Sequence, residues 1–252
     1  THFHGDHIGG LRQLAAKMPI GRIYDHGESV ETGLKAPLFP PYVEARSKLP
    51  HTVVKAGDVI PVKGLLVQVV SADGKAIEKP LAAGGQANPS CAGFKPMEVD
   101  PGENAHSIAL MITFGKMRIA DLGDLYWNQE FDLACPANKL GTVDLYMTTH
   151  HGTKTSGSPQ MVHALHPRVA LMNNGAAKGG SVEAWTTVRE SPGLIDLWQL
   201  HYSNAGGKEH NSPEPFLANP VEDCKGEWLE VTAEKSGRFA VKNHRNGFEK
   251  KY

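Results

Sequence analysis

The chain is poor in cysteine, in long apolar runs and in net charge, and each shortage excludes a class of protein. Cys91, Cys135 and Cys224 are too widely spaced for a zinc finger or a disulfide framework. One bridge between the loop-like stretches around Cys91 and Cys224 and three free thiols are both open alternatives. No apolar run approaches the roughly 18 residues of a membrane helix, so we predict no membrane span. The net charge of −1 provides no basic field, which argues against a nucleic-acid-binding surface.

The pattern along the chain indicates one α/β domain formed by all 252 residues. Residues 51–75 and 107–124 alternate around glycine turns, which predicts antiparallel strands. Residues 125–202 alternate strand and helix, which predicts parallel strands with right-handed crossovers. Residues 228–252 indicate a C-terminal hairpin and tail. The Gly-, Pro- and Ala-rich segment 75–104 predicts a long loop that serves as a lid. We therefore expect two packed sheets with helices outside.

The sequence is rich in histidine, with 13 residues of this type, and three of them lie in the opening stretch "THFHGDHIGG". His2, His4, Asp6 and His7 precede an amphipathic helical pattern over 8–18. Imidazole and carboxylate groups suit zinc, iron or manganese. Four such side chains within six positions are too crowded to serve one ion easily. The spacing therefore favours two neighbouring metal ions, each held by one pair.

This opening motif resembles the signature of the metallo-β-lactamase-fold hydrolases. The resemblance continues at "ADLGDL" and "TTHHGTKTS", and it covers nearly the whole chain. The ordered set "ENAHS", "GD" and "HHG" is most similar to the branch of competence-protein hydrolase domains and phosphorylcholine esterases. The resemblance implies a four-layer αββα sandwich of the α/β class, with a dinuclear metal site at the edge where strand ends meet.

The same resemblance implies a ligand set for the two ions, which we expect to be zinc, with manganese or iron as alternatives. The first ion takes a pair of histidines, the second an aspartate and a histidine, one aspartate bridges both ions, and a further histidine completes the first site. His2 and His4 match the pair of histidines on the first ion, and His151 matches the histidine that completes that site. Asp6 and His7 match the pair on the second ion, and Asp124 matches the bridging aspartate. His150 then orients a ligand or contacts substrate, although one residue of strand register would exchange His150 and His151.

Relatives with this motif place several strands before it, and the strand that leads into it is missing here. We therefore expect an N-terminally incomplete form of the fold. An unpaired sheet edge would follow, and such an edge favours self-association into a homo-oligomer. Localisation does not follow from the sequence.

The second ion lacks an obvious last ligand. Relatives use a histidine after the next strand, where this chain has "MNNGAAKGGS". His201 is our replacement, because it ends a parallel strand whose carboxyl end meets the edge that carries "HHG". A buried histidine hydrogen-bonded in the core is the alternative. His106, 18 residues before Asp124, is the rival ligand.

Two further stretches carry polar residues that could contact substrate or a ligand. Asp25 and His26 follow the first strand, where they could orient a metal-bound histidine. Asn174 and Lys178 lie in "NNGAAKGG", which could bind an anion through backbone amides and one cation. An ordinary surface turn is the alternative for each stretch.

The expected activity follows from the metals that the resemblance implies. Two cations flanking one water give a hydroxide nucleophile near neutral pH and polarise the scissile bond. Asp6, Asp124 and His150 are the expected catalytic residues, with His150 or a water protonating the leaving group. The branch favours a phosphodiester in a small-molecule substrate. A carboxylic ester, lactone or β-lactam is the alternative, and a non-catalytic metal- or ligand-binding protein is a second one.

Overall fold

The computed structural model describes all 252 residues, Thr1–Tyr252, and has a mixed α/β architecture. Its α-helices are α1 (Gly5–Ile8), α2 (Leu11–Lys17), α3 (Phe39–Arg46), α4 (Trp127–Ala134), α5 (Pro159–Leu165) and α6 (Val182–Arg189). Its strands are β1 (Ile23–Asp25), β2 (His51–Val53), β3 (Val59–Ile60), β4 (Leu66–Ala72), β5 (Lys75–Ala76), β6 (Gln86–Ala87), β7 (Ala109–Phe114), β8 (Met117–Asp121), β9 (Ala137–Asn138), β10 (Leu145–Met147), β11 (Val169–Met172), β12 (Asp196–His201), β13 (Leu217–Asn219), β14 (Leu229–Ala233), β15 (Phe239–Asn243) and β16 (Glu249–Lys251).

A nine-stranded mixed sheet forms the centre of the molecule, in the order β13-β12-β11-β10-β8-β7-β4-β3, with β5 paired to β4. Within this sheet, β8, β10, β11, β12 and β13 run parallel, as the strand–helix alternation predicts. The β7–β8 hairpin and the β3–β4–β5 region are antiparallel, also as predicted. The carboxyl ends of β8, β10, β11 and β12 therefore share one edge of the sheet, which is where ligand sites gather in parallel sheets.

Helices α4, α5 and α6 cover one face of this sheet and close the main core. Leu133, Met161, Leu165 and Val188 from the helices pack against the apolar face of the strands, where Tyr146 is fully buried. Serines cap two of the helices, since the side chains at 158 and 181 accept hydrogen bonds from backbone amides in the first turn. No helix of the structure has the length and apolar character needed to cross a bilayer.

The opposite face of the central sheet is covered by a second sheet from the C-terminus, β14–β15–β16. Phe239 and Val241 of β15 pack on Trp198, Val169 and Leu171 of the central sheet. The predicted hairpin over 228–252 thus has a third strand. A helical layer, a mixed sheet and a second packed sheet confirm the predicted α/β class and its packed sheets.

The direction of β2 and the presence of β13 differ from the prediction. β2 was expected in an antiparallel run, but it pairs parallel with β1 in a separate two-stranded sheet. The reason is topological: α3 connects β1 to β2, and a helical crossover returns the chain in the same direction. β13 was not anticipated, because three residues between prolines carry too short a pattern to indicate a strand.

The predicted lid segment, 75–104, is attached to the helical layer at several points. β6 within it pairs with β9. The Asn88 side chain is buried and donates hydrogen bonds to the carbonyl oxygens of Ala134 and Gln160. These contacts fasten the middle of the segment, so movement as a lid stays a proposal for its remaining parts.

The cysteine pairing differs from both alternatives drawn from the sequence. Cys91 forms a disulfide with Cys135, and Cys224 is free. The expected partner was wrong because Cys135 lies at the end of α4, directly beneath the 89–93 turn, with 5.7 Å between the Cα atoms of the pair. The spacing along the chain does not reveal that contact.

Candidate metal centre

The opening motif places two histidines against each other before the first helix begins. His2 is buried, and its Nε2 lies 3.0 Å from Nδ1 of His4. The other nitrogen of His4, Nε2, lies 2.7 Å from Oε1 of Glu31. A metal-binding histidine usually has a carboxylate on the nitrogen that faces away from the ion. His2 and His4 therefore have the arrangement of a ligand pair.

Asp124 follows β8 through a tight turn that only glycine fits. Gly123 has φ +57°, and a Cβ there would lie 3.0 Å from Cβ of Ser107 and 3.2 Å from the Ile108 carbonyl oxygen. The Asp124 amide donates to Oγ of Ser107, at 3.1 Å, and that hydroxyl also contacts Nδ1 of His2. The buried serine thus fixes the carboxylate relative to the opening motif.

Four imidazole rings surround one oxygen of the Asp124 carboxylate. Its Oδ2 lies 3.3 Å from Nε2 of His7, 3.5 Å from His151, 3.6 Å from His150 and 3.7 Å from His2. These side chains come from the opening motif and from the end of β10. One carboxylate oxygen therefore lies among all four imidazoles, as a bridging ligand would.

Asp6 lies beside two of these histidines, His7 and His151. Its Oδ2 lies 3.2 Å from Nε2 of His151 and 3.5 Å from Nε2 of His7. The ligand atoms of Asp6, His7 and His151 all lie within 4.8 Å of one another. His151 is therefore grouped with the pair that the sequence assigned to the second ion, whereas the resemblance placed it with the first.

The "HHG" turn has an unusual backbone. His150 and His151 have φ values of +51° and +57°, in the left-handed region that non-glycine residues seldom adopt. Such strain persists where the surrounding structure holds it, as at functional sites. Here the His150 amide donates to the Gly123 carbonyl, and the Gly180 amide donates to the His151 carbonyl. The turn is therefore fastened to both neighbouring loops.

The loop after β11 reaches this centre and brings a lysine to it. Gly179 makes the approach possible, because a Cβ there would lie 2.0 Å from the His151 carbonyl oxygen. Lys178 Nζ contacts Oδ2 of Asp6. Burial would raise the pKa of Asp6, but the hydrogen bond from Lys178 and the neighbouring His7 lower it to about 2. This loop contains no histidine and places an ammonium group beside Asp6 instead.

The protonation states of the cluster suit metal binding. Burial, reinforced by the neighbouring His7, lowers the pKa of His2 to about 2. Burial also lowers the pKa of His150 to about 4. Burial would raise the pKa of Asp124, but His151 and His7 beside it hold that pKa well below its usual range. Burial would lower the pKa of His151, but the contact with Asp124 raises it. Neutral His2 and His150 beside an ionised Asp124 are in the forms that bind divalent cations.

The cluster contains buried polar atoms that have no hydrogen-bond partner. Nε2 of His7, Nε2 of His151 and Oδ2 of Asp124 are all in this state. Such orphaned atoms are rare in folded proteins and each calls for an explanation. Their mutual proximity and donor chemistry fit a divalent metal ion.

His201, the expected last ligand of the second ion, and Asn174, expected in an anion-binding loop, do not reach the cluster. His201 Nε2 lies 3.2 Å from Sγ of Cys224 instead. β12 is two strands away from β10, which separates their ends by roughly 10 Å, so sharing an edge does not bring the side chains together. The side-chain amide of Asn174 donates hydrogen bonds to the carbonyl oxygens of Gly175 and His201. It joins the ends of β11 and β12 and does not face the cluster.

Asp25, His26 and His106 also lie outside the cluster. Asp25 accepts hydrogen bonds from Tyr42 and Arg46, so it holds α3 against β1. His26 and His106 belong to a second group of ligand-type side chains with Asp73. The structure therefore does not place His106 in the Asp124 cluster, where the sequence made it the rival ligand.

Sequence reasoning missed the carboxylates that support the opening motif. Glu103 is fully buried and accepts hydrogen bonds from the amides of Phe3 and Val30 and from His26. Glu31 contacts His4, as described above. The signal for Glu103 and Ser107 was their place in "ENAHS", which was read as a family motif without a role for either residue.

Comparisons with known proteins give partial similarities. The chain matches no protein-family model. It is 32% identical over 73 residues to Recombination protein 2 of Haemophilus influenzae, a stretch that covers 29% of this chain and 9% of that protein. The solved structures that are similar to this chain include CmlA and PqqB. CmlA, a diiron β-hydroxylase from Streptomyces venezuelae, has a TM-score of 0.41 and 14% identity, covering 78% of this chain and 37% of CmlA. Zn²⁺-bound PqqB from Methylobacterium extorquens has a TM-score of 0.39 and 17% identity, covering 68% of this chain and 59% of PqqB. The matched part is less than two thirds of each of these proteins.

Proposed function

We propose that this chain is a metal-dependent hydrolase of the metallo-β-lactamase fold and that it cleaves a phosphodiester. The observation that carries the proposal is the convergence of four imidazoles on Oδ2 of Asp124, an oxygen that is buried and has no hydrogen-bond partner. A charged oxygen in that position would be costly without a cation to compensate it. Two divalent ions, zinc first, with manganese or iron as alternatives, would supply that compensation.

The two ions would share the cluster between two ligand sets that Asp124 joins. The first set is His2, His4 and His150, and the second is Asp6, His7 and His151. His150 would complete the first set, because its Nε2 lies 3.6 Å from Oδ2 of Asp124 and its Nδ1 is occupied by Oγ of Ser156, at 3.1 Å, while the second set already has three members. When bound, such ions activate water and polarise the scissile group.

His150 is better suited to holding an ion than to protonating a leaving group. With its pKa lowered to about 4, the ring is neutral near neutral pH, and in the tautomer whose Nδ1–H donates to Ser156 its Nε2 carries a lone pair and no proton to give. Tyr126 stacks on the ring, with 5.4 Å between the centroids, and keeps it in place. Asp6 and Asp124 remain ionised and orient the attacking water.

The position of Lys178 favours an anionic substrate. Its ammonium group lies at the second ligand set and its side chain is 48% exposed, so a phosphate oxygen can reach it from solvent. A cation at this place would attract the negative charge that a phosphodiester carries before it reacts, whereas a neutral ester carries no such charge when it binds. The partial match to a protein named for recombination supports including a nucleic acid among the substrates tested.

Replacing Lys178 with alanine should lower kcat/KM for bis(p-nitrophenyl) phosphate by about 10-fold, the loss of one charge-assisted hydrogen bond. Hydrolysis of p-nitrophenyl acetate should change little. The Lys154→Ala variant, which removes an exposed lysine from the neighbouring turn, is the matched control. An equal loss on both substrates, or a loss of bound metal, would contradict a role in anion binding.

A substrate panel tests the proposed reaction. The zinc-loaded and manganese-loaded chain is assayed with bis(p-nitrophenyl) phosphate, single-stranded DNA, p-nitrophenyl acetate and nitrocefin. We expect phosphodiester cleavage to exceed the other activities and to stop with a chelator. Turnover of p-nitrophenyl acetate or nitrocefin alone would replace the phosphodiester with an ester or β-lactam. Metal binding without any turnover would favour a binding protein.

A further inference from the structure

We propose that the chain has another divalent-cation site, separate from the Asp124 cluster and formed by His26, Asp73 and His106. One ligand atom from each of these side chains lies within 4.8 Å of the other two. In a tetrahedral zinc site with bonds of about 2.0–2.2 Å, neighbouring ligand atoms lie roughly 3.4 Å apart. Side-chain movements of about 1 Å would therefore bring the three ligand atoms to this spacing, and water would take the remaining position.

His26 provides the observation that points to a ligand. Its side chain is fully buried, and its Nε2 lies 2.9 Å from Oε2 of buried Glu103. Its other nitrogen, Nδ1, is buried and has no hydrogen-bond partner. A histidine that donates one N–H to a carboxylate presents a lone pair on the other nitrogen. This is the arrangement by which proteins orient a metal-binding histidine.

Asp73 is held near His106 by a tight turn between β4 and β5. Asp73 and Gly74 have φ values of +50° and +70°, which is the Asp-Gly pattern of a two-residue hairpin turn. The Asp73 amide donates to the His106 carbonyl, and the Asp73 carboxylate lies 2.9 Å from Nδ1 of His106. The turn therefore fixes a carboxylate beside a second imidazole.

The two imidazoles face each other across this small space. The ring centroids of His26 and His106 are 5.9 Å apart. His26 closes the buried side, and Asp73, whose side chain is 53% exposed, opens the other side to solvent. Two histidines and one carboxylate from three separate segments form a set typical of zinc and similar transition-metal ions.

The test is the number of Zn²⁺ ions that the metal-free chain binds, measured by calorimetry and by elemental analysis after dialysis. Asp73→Asn and His106→Ala should each bind one equivalent fewer than the original chain, with affinity for that ion lower by at least 10–100-fold. Asparagine also adopts positive φ, so Asp73→Asn keeps the turn. Circular dichroism confirms that each variant is folded.

His244→Ala is the matched control. His244 pairs with Glu230 at 2.7 Å, and the side-chain exposures of 23% and 51% match those of the His106–Asp73 pair, at 24% and 53%. No third ligand-type side chain joins His244 and Glu230, so this variant should bind as much zinc as the original chain. The proposal is overturned if Asp73→Asn or His106→Ala retains the full number of ions. Asp124→Ala should retain this one ion, which separates the outcome from that of the main centre.

Discussion

The Asp124→Ala variant should lose hydrolytic activity by more than about 100-fold and should bind metal weakly in both ligand sets. The reason is that one carboxylate oxygen lies 3.3–3.7 Å from four imidazoles. Loss of a residue that only orients a ligand costs 10–100-fold in affinity or activity, so loss of the central carboxylate should cost more. The measurements are steady-state kinetics on bis(p-nitrophenyl) phosphate and the zinc content after dialysis.

Two companion variants separate a metal role from a folding role. Asp132→Ala removes an exposed aspartate from α4 and should change neither activity nor zinc content. Asp124→Asn keeps the shape of the side chain, and the backbone N–H of residue 124 still donates to Ser107. The substitution removes the negative charge that two cations require. If Asp124→Asn kept both its metal content and its activity, the bridging role would be disproved.

The Glu103→Ala variant should destabilise the metal-free chain by about 3–5 kcal/mol, the usual cost of removing one partner from a buried ionic contact. Three donors, the amides of Phe3 and Val30 and Nε2 of His26, would lose their acceptor in the interior. Each unsatisfied donor costs about 1–3 kcal/mol. In a chain of this size the Tm should fall by roughly 10 °C. Urea unfolding in the presence of a chelator measures the change without a contribution from bound metal.

Glu98→Ala is the control for this second prediction, because Glu98 is exposed in the same loop region. It should shift the free energy of unfolding by less than about 0.5 kcal/mol. Glu103→Gln retains one acceptor oxygen and should recover part of the loss. A Glu103→Ala variant as stable as Glu98→Ala would show that the buried carboxylate does not support the opening motif.

The fold illustrates which patterns carry information about structure. The strand–helix alternation over 125–202 was sufficient to predict parallel strands, because the helical periods between the apolar runs mark those runs as strands joined by crossovers. The β7–β8 hairpin was predicted from a glycine turn between two apolar runs. β13 and the direction of β2 were missed, since a three-residue strand has no period and its direction depends on the connection.

The candidate site shows a similar division. The opening motif, Asp124 and the "HHG" turn were selected from the sequence, and the structure brings them together around one oxygen. His201 was selected because its strand end shares the same edge, but edge position alone does not fix which strand is a neighbour. Lys178 was noted only as part of an anion-binding loop, and its contact with Asp6 depends on the close approach at Gly179.

The sequence by itself determined the α/β class and the kinds of donor atoms that the opening motif presents. These features are local: spacing along the chain sets the period of an element and the kind of donor atoms it presents. Only the tertiary structure decided the Cys91–Cys135 bond, the buried support from Glu103 and the second group at His26. Each of these joins residues that are distant in sequence, and their proximity results from packing of the whole chain, which no single segment encodes.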